Sequence, residues 1–275
     1  MLRQPVSLTI GLSMSQTSQS QHSLLIREAL ERVRERIQNA SRRAARSPDE
    51  VMLVAVTKTF PAQVIREAID AGQCVFGENR VEEALPKIAE IGDMELGIRW
   101  HLIGHLQSRK VKDTIGHFAL IHSVDSVKLA ETLNQRMAAL PSIANRQPPN
   151  SQPQPILLEC NVSGEKTKSG FAVAGWDRDV AVFDAFLLNV QQIARLPHVR
   201  VNGLMTVAPI VEQAEQARPF FANLRRLRDR LRELVPEVGW EHLSMGMTDD
   251  FEAAVAEGAT LVRIGRAIFG ERSAP

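Results

Sequence analysis

The sequence has no tyrosine, only two cysteines and no long hydrophobic run. Cys74 and Cys160 are too few for a disulfide framework or a zinc site and fit a reducing compartment, so we expect a cytoplasmic protein without a metal. No apolar stretch approaches the roughly 20 residues that a membrane-spanning helix needs, so we expect no such helix and no membrane partner. The first 20 residues are polar apart from a short, interrupted apolar patch, and we interpret 1–20 as a flexible tail.

An excess of charge of one sign is also missing, because 33 basic and 32 acidic side chains leave a formal net charge of +1. This balance gives no electrostatic footprint for nucleic acid or for an anionic membrane surface. The chain does have 44% hydrophobic residues over a length of 275. It can therefore bury a substantial core without cross-links, either in one α/β barrel of roughly 250 residues or in two smaller domains.

Hydrophobic periodicity favours the barrel, because short strand-like apolar runs alternate with segments of helical spacing. The predicted strands are 52–58, 74–79, 99–104, 119–125, 156–162, 201–206, 242–246 and 261–265. The predicted helices are 21–46, 61–71, 80–91, 108–114, 126–140, 176–195, 211–234 and 250–257, with a helical turn from Arg266. Eight buried strands with helical crossovers predict a single (β/α)8 TIM-type barrel over 21–272, with an extra N-terminal helix. The Pro-, Asn- and Gln-rich segment 141–155 predicts a flexible insertion.

Lys58 is the first candidate for a functional side chain, because functional groups of such a barrel lie at the C-terminal ends of its strands. It ends the first predicted strand, where partial burial lowers the pKa of an amine and makes it a nucleophile for an aldehyde. Position alone favours a solvated lysine at a strand end.

The loops after the seventh and eighth strands favour a phosphate site, since phosphate is commonly held there in this fold. Ser244, Gly246 and Thr248 follow the seventh strand, and Gly265 and Arg266 follow the eighth. They offer hydroxyl groups, glycines that allow close backbone approach, and free N–H groups at a helix start. For each glycine alone, turn geometry is a sufficient explanation.

Arg263 lies inside the apolar eighth strand, where an arginine needs a partner. One interpretation is a salt bridge across the barrel to Glu78 or Glu159, and the other is a contact to the ring of a phosphate-anchored ligand. Asn79 and His101 end or begin strands that open at the same mouth. For His101 alone, a hydrogen-bonded structural histidine is the stronger interpretation.

Several long motifs together resemble one known family. They are VAVTKTFP (54–61), FGENRVEEALPK (76–87), WHLIGHLQSRK (100–110), NVSGEKTKSGF (161–171), GLMTVAP (203–209) and LSMGMTDDFEAAVAEGATLVRIGRAIFG (243–270). The chain is similar over roughly 23–272 to the pyridoxal phosphate homeostasis family, also called the proline synthase co-transcribed or alanine racemase N-terminal-like family.

The resemblance implies a barrel like the N-terminal domain of alanine racemase, with pyridoxal 5′-phosphate (PLP) as a covalent aldimine, or Schiff base, on Lys58. By the same motif match, Ser244, Gly246, Gly265 and the backbone N–H of Arg266 fall at phosphate positions. Arg263 falls opposite the pyridine nitrogen. The implied function is a regulator or carrier in B6-vitamer and amino-acid homeostasis, expected to be a monomer whose partners are PLP and PLP-dependent apoenzymes.

The alternative is a PLP-dependent racemase or decarboxylase with weak activity. An alanine-type racemase needs a tyrosine opposite the lysine, and the chain has none. The chain also ends soon after the eighth strand, so we expect no second β-domain. An arginine at the ring nitrogen keeps that nitrogen unprotonated and weakens the ring as an electron sink. A phosphosugar enzyme would use the same loops but does not explain Lys58 and Arg263 together. We therefore assign no catalytic residue.

Overall fold

The structure, a computed structural model, describes residues 11–92, 97–139 and 152–271, with side chains from residue 21 onward. Within these residues it has nine β-strands. They are β1 Met52–Val56, β2 Val75–Glu78, β3 Arg99–Leu102, β4 Leu120–Val124, β5 Gln154–Asn161, β6 Phe171–Ala172, β7 Val199–Met205, β8 His242–Ser244 and β9 Leu261–Ile264. All strand pairs are parallel, and β1 pairs with both β2 and β9. The predicted closed eight-stranded barrel is thereby confirmed, because every strand except β6 has two neighbours around the ring.

The inward and outward faces of the strands belong to two separate apolar clusters. One cluster joins residues from six strands inside the barrel, and we call it the apolar layer: Val54, Val75, Leu120, Leu157, Met205 and Leu261. The other cluster joins strand residues of the opposite parity, such as Ala55 and Phe76, with buried helix residues. The period-2 alternation of a strand produces this separation, and both faces are apolar because a parallel barrel is covered on both sides.

The helices surround the barrel and connect successive strands. Among the described residues they are α1 Gly11–Arg43, α2 Ala62–Asp70, α3 Val81–Ile91, α4 Val127–Ala138, α5 Val180–Ala194, α6 Arg218–Leu234, α7 Phe251–Ala256 and α8 Arg266–Phe269. Short 3-10 helices cover Pro48–Glu50, Ser108–Asp113 and Ala214–Ala217. Ser126 and Asp179 cap α4 and α5 through side-chain bonds to Leu129 N and Ala181 N. No helix in the described part of the chain is long and apolar enough to cross a bilayer.

Helix α1 packs across the seam where the first and last strands of the barrel meet. It contacts α2 on one side of the seam and α7 and α8 on the other. Arg36 donates two hydrogen bonds of 2.9 Å to Glu252, and its guanidinium lies 4.5 Å from the centre of the Phe251 ring. Arg46, just after the helix, donates to the carbonyl oxygens of Val255 and Ala259. The N-terminal helix therefore ties the start of the barrel to its end.

Helix α1 and strand β5 both begin earlier than the sequence predicts. Helix α1 begins at Gly11, so it replaces the predicted tail over residues 11–20; extending an existing helix adds one hydrogen bond per residue without a new nucleation cost. Strand β5 begins at Gln154, inside the predicted insertion 141–155, because Gln154 N bonds to His198 O and its buried amide donates to Phe118 O. Residues 1–10 and 140–151, the rest of the predicted tail and most of the insertion, lie outside the described residues.

Strand β6 was not predicted. It consists of two residues, too few for a periodic pattern, and pairs with Cys160 and Asn161 at the end of β5. Gly170 precedes it with a φ of +113°, and a Cβ there would lie 2.8 Å from Glu159 O. Only glycine fits such a backbone approach. The loop after β5 is therefore fastened to the mouth of the barrel.

Candidate functional site

The predicted site residues come together at the C-terminal ends of β1, β2, β8 and β9. Lys58 is half-buried and follows β1 by two residues, continuing the inward alternation of Val54 and Val56. Because β1 lies between β2 and β9, Lys58 has Asn79, also half-buried, on one side and the Gly265–Arg266 turn on the other. The barrel thus brings residues more than 180 positions apart in the sequence to one mouth.

Of the two glycines in the predicted phosphate loops, Gly246 is required by the fold and Gly265 is favoured by close packing. Gly246 has a φ of +91°, and a Cβ there would lie 2.6 Å from the Cβ of Ala254. Gly265 has a negative φ, but a Cβ there would lie 3.3 Å from Val56 O, on the strand that leads to Lys58. Gly246 O accepts a 3.0 Å bond from Arg263 N, which places the two loops next to each other. Turn geometry therefore explains Gly246, which is buried, and close packing against Val56 explains Gly265, which is half-buried next to β1.

The polar side chains of the two loops mostly form hydrogen bonds and ion pairs with other groups of the same loops. Asp250 accepts a 2.6 Å bond from Met247 N and closes the turn that contains Thr248. The Arg266 side chain forms an ion pair with Asp249, so only its backbone faces the start of α8. The first N–H groups of any helix lack partners within the helix, and in α8 they belong to Arg266 and Ala267. An anion at this point would meet backbone donors.

A buried hydrogen-bonded chain crosses the barrel below the mouth, and we call it the Arg263 relay. Arg263 Nη1 donates to Ser244 Oγ at 2.6 Å, and Nη2 donates to Thr206 O at 2.9 Å. Ser244 Oγ lies 2.8 Å from His122 Nδ1, and His122 Nε2 lies 3.0 Å from His101 Nδ1. Ser244 and His122 are fully buried, and His101 and Arg263 are nearly so. These hydrogen bonds fix the orientation of the Arg263 guanidinium and its position along the barrel axis.

Burial sets the charge states along the relay. It lowers the pKa of His101 to about 3, and it lowers the pKa of His122 well below the usual value. Burial also lowers the pKa of Arg263 to about 10, although Asp250 and Glu159 oppose this shift through space. At neutral pH both histidines are therefore neutral and Arg263 is the cation of the barrel interior. Desolvation disfavours the charged form of each group, but a guanidinium has too high an intrinsic pKa to lose its proton.

The structure decides between the two interpretations of Arg263 only in part. The predicted salt bridge to Glu78 is wrong, because Glu78 lies on the outer face of β2 and pairs with Lys87 at 2.7 Å. The charge of Glu159 raises the pKa of Arg263 through space. However, no carboxylate in the described residues lies within 4.0 Å of the guanidinium. Ser244 was predicted at the phosphate, and the structure joins its hydroxyl to Arg263. Its predicted phosphate contact stays a prediction.

Sequence reasoning missed His122 and the Glu78–Lys87 pair. Each carried a weak signal: His122 stands in strand β4, which is apolar apart from His122 and Ser123, and Glu78 ends the apolar strand β2. The prediction that His101 is a hydrogen-bonded structural histidine agrees with its position in the relay. Partners such as Ser244 and His122 are 122 residues apart, and only closure of the barrel makes them neighbours.

Comparison with known proteins gives one family and one fold. The family model described as alanine racemase, N-terminal domain, matches residues 29–273. The pyridoxal phosphate homeostasis protein of Aquifex aeolicus (strain VF5) is 43% identical over 245 residues, which cover 89% of this chain and 97% of that protein. PipY of Synechococcus elongatus PCC7942, solved with PLP bound, superposes with a TM-score of 0.71 at 35% identity and covers 89% of this chain and 100% of its own.

A more distant similarity concerns the fold alone. Alanine racemase of Clostridium difficile 630 superposes with a TM-score of 0.64 at 13% identity. The superposition covers 90% of this chain but only 57% of the racemase. The barrel of this chain is therefore the part that the two proteins have in common.

Proposed function

Since the chain belongs to the alanine racemase N-terminal domain family, we propose that it binds PLP as a regulator or carrier in B6-vitamer and amino-acid homeostasis, without robust catalytic turnover. The observation that carries the proposal is the position of Lys58, half-buried between the Gly265–Arg266 turn and Asn79. The 35% identity to PipY, a protein solved with PLP, supports it over the whole barrel.

The residues at the mouth fit the three chemical groups of PLP. The amine of Lys58 would form the Schiff base with the aldehyde. The backbone around Gly246, Thr248, Gly265 and Arg266 would hold the phosphate, as N–H groups at helix starts and tight turns do. A guanidinium has five N–H donors, and Ser244 and Thr206 use two of those on Arg263, so Arg263 has donors left for the ring nitrogen. Asn79 would line the ring from the side of β2.

The same arrangement argues against efficient catalysis. Bound PLP supplies a ring that can take up electrons, and it does so best when its nitrogen is protonated. With a pKa of about 10, Arg263 stays charged at neutral pH and offers that nitrogen only donors. The chain also has no tyrosine to serve as a second base opposite Lys58. A binding or carrier role fits these residues better than racemisation or decarboxylation.

Absorbance and adduct mapping test the assignment of Lys58. We expect purified protein with PLP to absorb near ~420 nm and to give one adduct on Lys58 after borohydride reduction. Lys58→Ala should remove both signals, and Lys58→Arg should do the same while keeping the charge. An adduct on Lys166 or Lys168, in the loop after β5, would overturn the assignment.

Turnover is tested separately. Exchange of the α-proton in D2O and chiral analysis, with alanine, serine and ornithine, should show rates far below the order of 1 s⁻¹ that working enzymes reach. A rate at or above that value would favour the alternative, a racemase or decarboxylase. The recipients in the carrier role would be PLP-dependent apoenzymes in the cytoplasm, and mixing loaded protein with such an apoenzyme measures transfer directly.

A further inference from the structure

A buried ion pair lies directly behind the strand end that carries Lys58. Lys87, on α3, places its Nζ 2.7 Å from Glu78 Oε1 and 2.9 Å from Thr57 O. Thr57 Oγ1 donates to the same oxygen of Glu78 at 2.7 Å. Glu78 is fully buried, and the side chain of Lys87 is only 11% exposed. Thr57, just after β1, thus meets Glu78 of β2 and Lys87 of α3 on the outer face of the barrel wall.

The ion pair between Glu78 and Lys87 is a weak source of stability for the fold. Among the described residues, none hydrogen-bonds to the buried Oε2 of Glu78, while Oε1 receives both donors. Burial raises the pKa of Glu78 even though Lys87 and Thr57 favour the carboxylate. Buried ion pairs often stabilise a fold no better than apolar residues of the same volume. Stability alone is therefore a weak reason for the Glu78–Lys87 pair.

Every polar group of Thr57, the residue before Lys58, is hydrogen-bonded, and the pair holds two of them, the hydroxyl and the carbonyl. Thr57 N donates to Gly77 O at 3.0 Å, its hydroxyl bonds to Glu78, and its carbonyl accepts from Lys87 and from Phe60 N at 3.1 Å. The carbonyl of Thr57 belongs to the peptide unit whose nitrogen is that of Lys58. Lys87 therefore holds the Thr57–Lys58 peptide in place, because it donates to the carbonyl oxygen of that peptide.

The residue after Lys58 adopts a costly backbone conformation. Thr59 has a φ of +69°, one of two positive values among the described non-glycine residues. A β-branched residue in this region is an outlier, and such strain persists only where the surroundings hold it. Lys58 therefore stands between a residue whose polar groups are all bonded and a strained turn that reverses the chain towards α2.

We infer that Glu78 and Lys87 are positioning residues for Lys58: they clamp the Thr57–Lys58 peptide and so hold the Lys58 amine at the mouth. The inference rests on the proposed PLP function, which supplies the reason to hold the amine in place. Lys87 itself does not serve as the attachment lysine, because its amine already donates to a carboxylate and a carbonyl on the outer face of the wall.

The test compares three variants of the full chain with one control. Lys87→Met removes the ammonium and keeps most of the stem, Glu78→Gln keeps the shape of the acid, and Glu78→Leu/Lys87→Met replaces the pair by apolar side chains. Lys110→Met is the control, because Lys110 forms a more exposed ion pair with the same helix, to Glu82 in the first turn of α3. Far-UV circular dichroism and thermal melting report folding for each.

Two readouts follow Lys58. One is the rate of appearance of the ~420 nm Schiff base after PLP is added. The other needs no PLP: reductive methylation of the cofactor-free protein with formaldehyde, quantified on the Lys58 peptide against Lys112. We expect Lys87→Met to slow the first by about tenfold or more, because small misplacements of a reacting group are costly, and to speed methylation of Lys58 several-fold. The effect of Glu78→Gln should be smaller, and Lys110→Met should match the wild type.

The double variant separates positioning from stability. If the pair positions Lys58, Glu78→Leu/Lys87→Met should melt at or above the wild-type temperature and still form the Schiff base slowly. Recovery of both melting and Schiff-base rate in the double variant would overturn the inference, as would a folded Lys87→Met with wild-type rates. Absence of any Schiff base in the wild type would refute the proposed function alone, because methylation of Lys58 still reports on the clamp.

Discussion

Two sets of inward-facing residues fill the barrel, and one set is apolar while the other is polar. On β4, β5 and β9 an apolar residue of the apolar layer is followed two positions later by a polar one: Leu120 by His122, Leu157 by Glu159 and Leu261 by Arg263. We call the polar set, with His101 and Ser244, the polar layer. The apolar layer lies nearer the N-terminal ends of these strands, and the polar layer lies nearer the mouth.

The difference separates stability from binding within one interior. The apolar layer has no polar group to satisfy, and its six side chains are almost completely buried. The polar layer keeps an arginine and two neutral histidines away from water, which costs free energy unless hydrogen bonds replace the solvent. If the interior served stability alone, both layers would be expected to consist of apolar residues. We expect substitutions in the two layers to affect different measurements.

The largest effect should come from Leu157→Ala in the apolar layer. Removing a fully buried leucine side chain leaves a cavity and costs about 2–5 kcal/mol of unfolding free energy. Urea unfolding with and without PLP measures it, and the affinity of the remaining folded protein for PLP should change little. A large loss of affinity without loss of stability would mean that the two layers are not separate.

Ser244→Ala in the polar layer should act mainly on binding. It removes the hydroxyl that accepts from Arg263, so the hydrogen bond to a charged group is lost, worth about 1.5–3 kcal/mol. We expect the affinities for PLP and for pyridoxal, which lacks the phosphate, to fall by the same factor in fluorescence titrations. If only PLP binding weakens, Ser244 contacts the phosphate rather than supporting Arg263.

The two histidines of the polar layer should make stability depend on pH. Their folded pKa values lie below the usual one, so the unfolded chain binds more protons as the pH falls through about 6.5. Each should therefore remove up to about 1.4 kcal/mol per pH unit on acidification from pH 6.5. Glu78, Glu159 and Asp250, whose pKa values are raised, act in the opposite direction at lower pH.

Urea unfolding between pH 5 and 7.5 checks this slope. His122→Asn should reduce it, because the substitution removes one of the two buried imidazoles. An unchanged slope in His122→Asn would mean that His122 is not held neutral by burial.

The smallest effect should come from residues that belong to neither layer. Replacing 140–151 by a short Gly/Ser linker should change the unfolding free energy and PLP affinity by less than about 0.5 kcal/mol, as for most surface changes. The segment has the composition of a loop, and β5 begins only at Gln154. Melting and titration of the linker variant measure both quantities. A loss of folding would contradict the predicted insertion.

The sequence predicts the barrel well, because its signals are local. The eight strands of the ring lie within about two residues of the predicted runs, and Lys58, Gly246 and Gly265 stand at the predicted strand ends. The partners of buried polar groups are a different matter. That Arg263 bonds to Ser244, and Ser244 to His122, depends on which strands face each other across a closed ring. No spacing along the chain contains that information.

The seam under α1 also has a consequence for how the protein is made. Arg36 and Glu252 are 216 residues apart, so during synthesis the helix leaves the ribosome long before α7 and α8, the surfaces on which it docks. Until β9 arrives, β1 has a bare edge and the buried side chains of α1, among them Leu30 and Val33, lack half of their cover. A nascent chain that stalls before residue 250 should therefore be highly prone to aggregation. Helix α7, strand β9 and helix α8 turn an open, aggregation-prone sheet into a closed barrel.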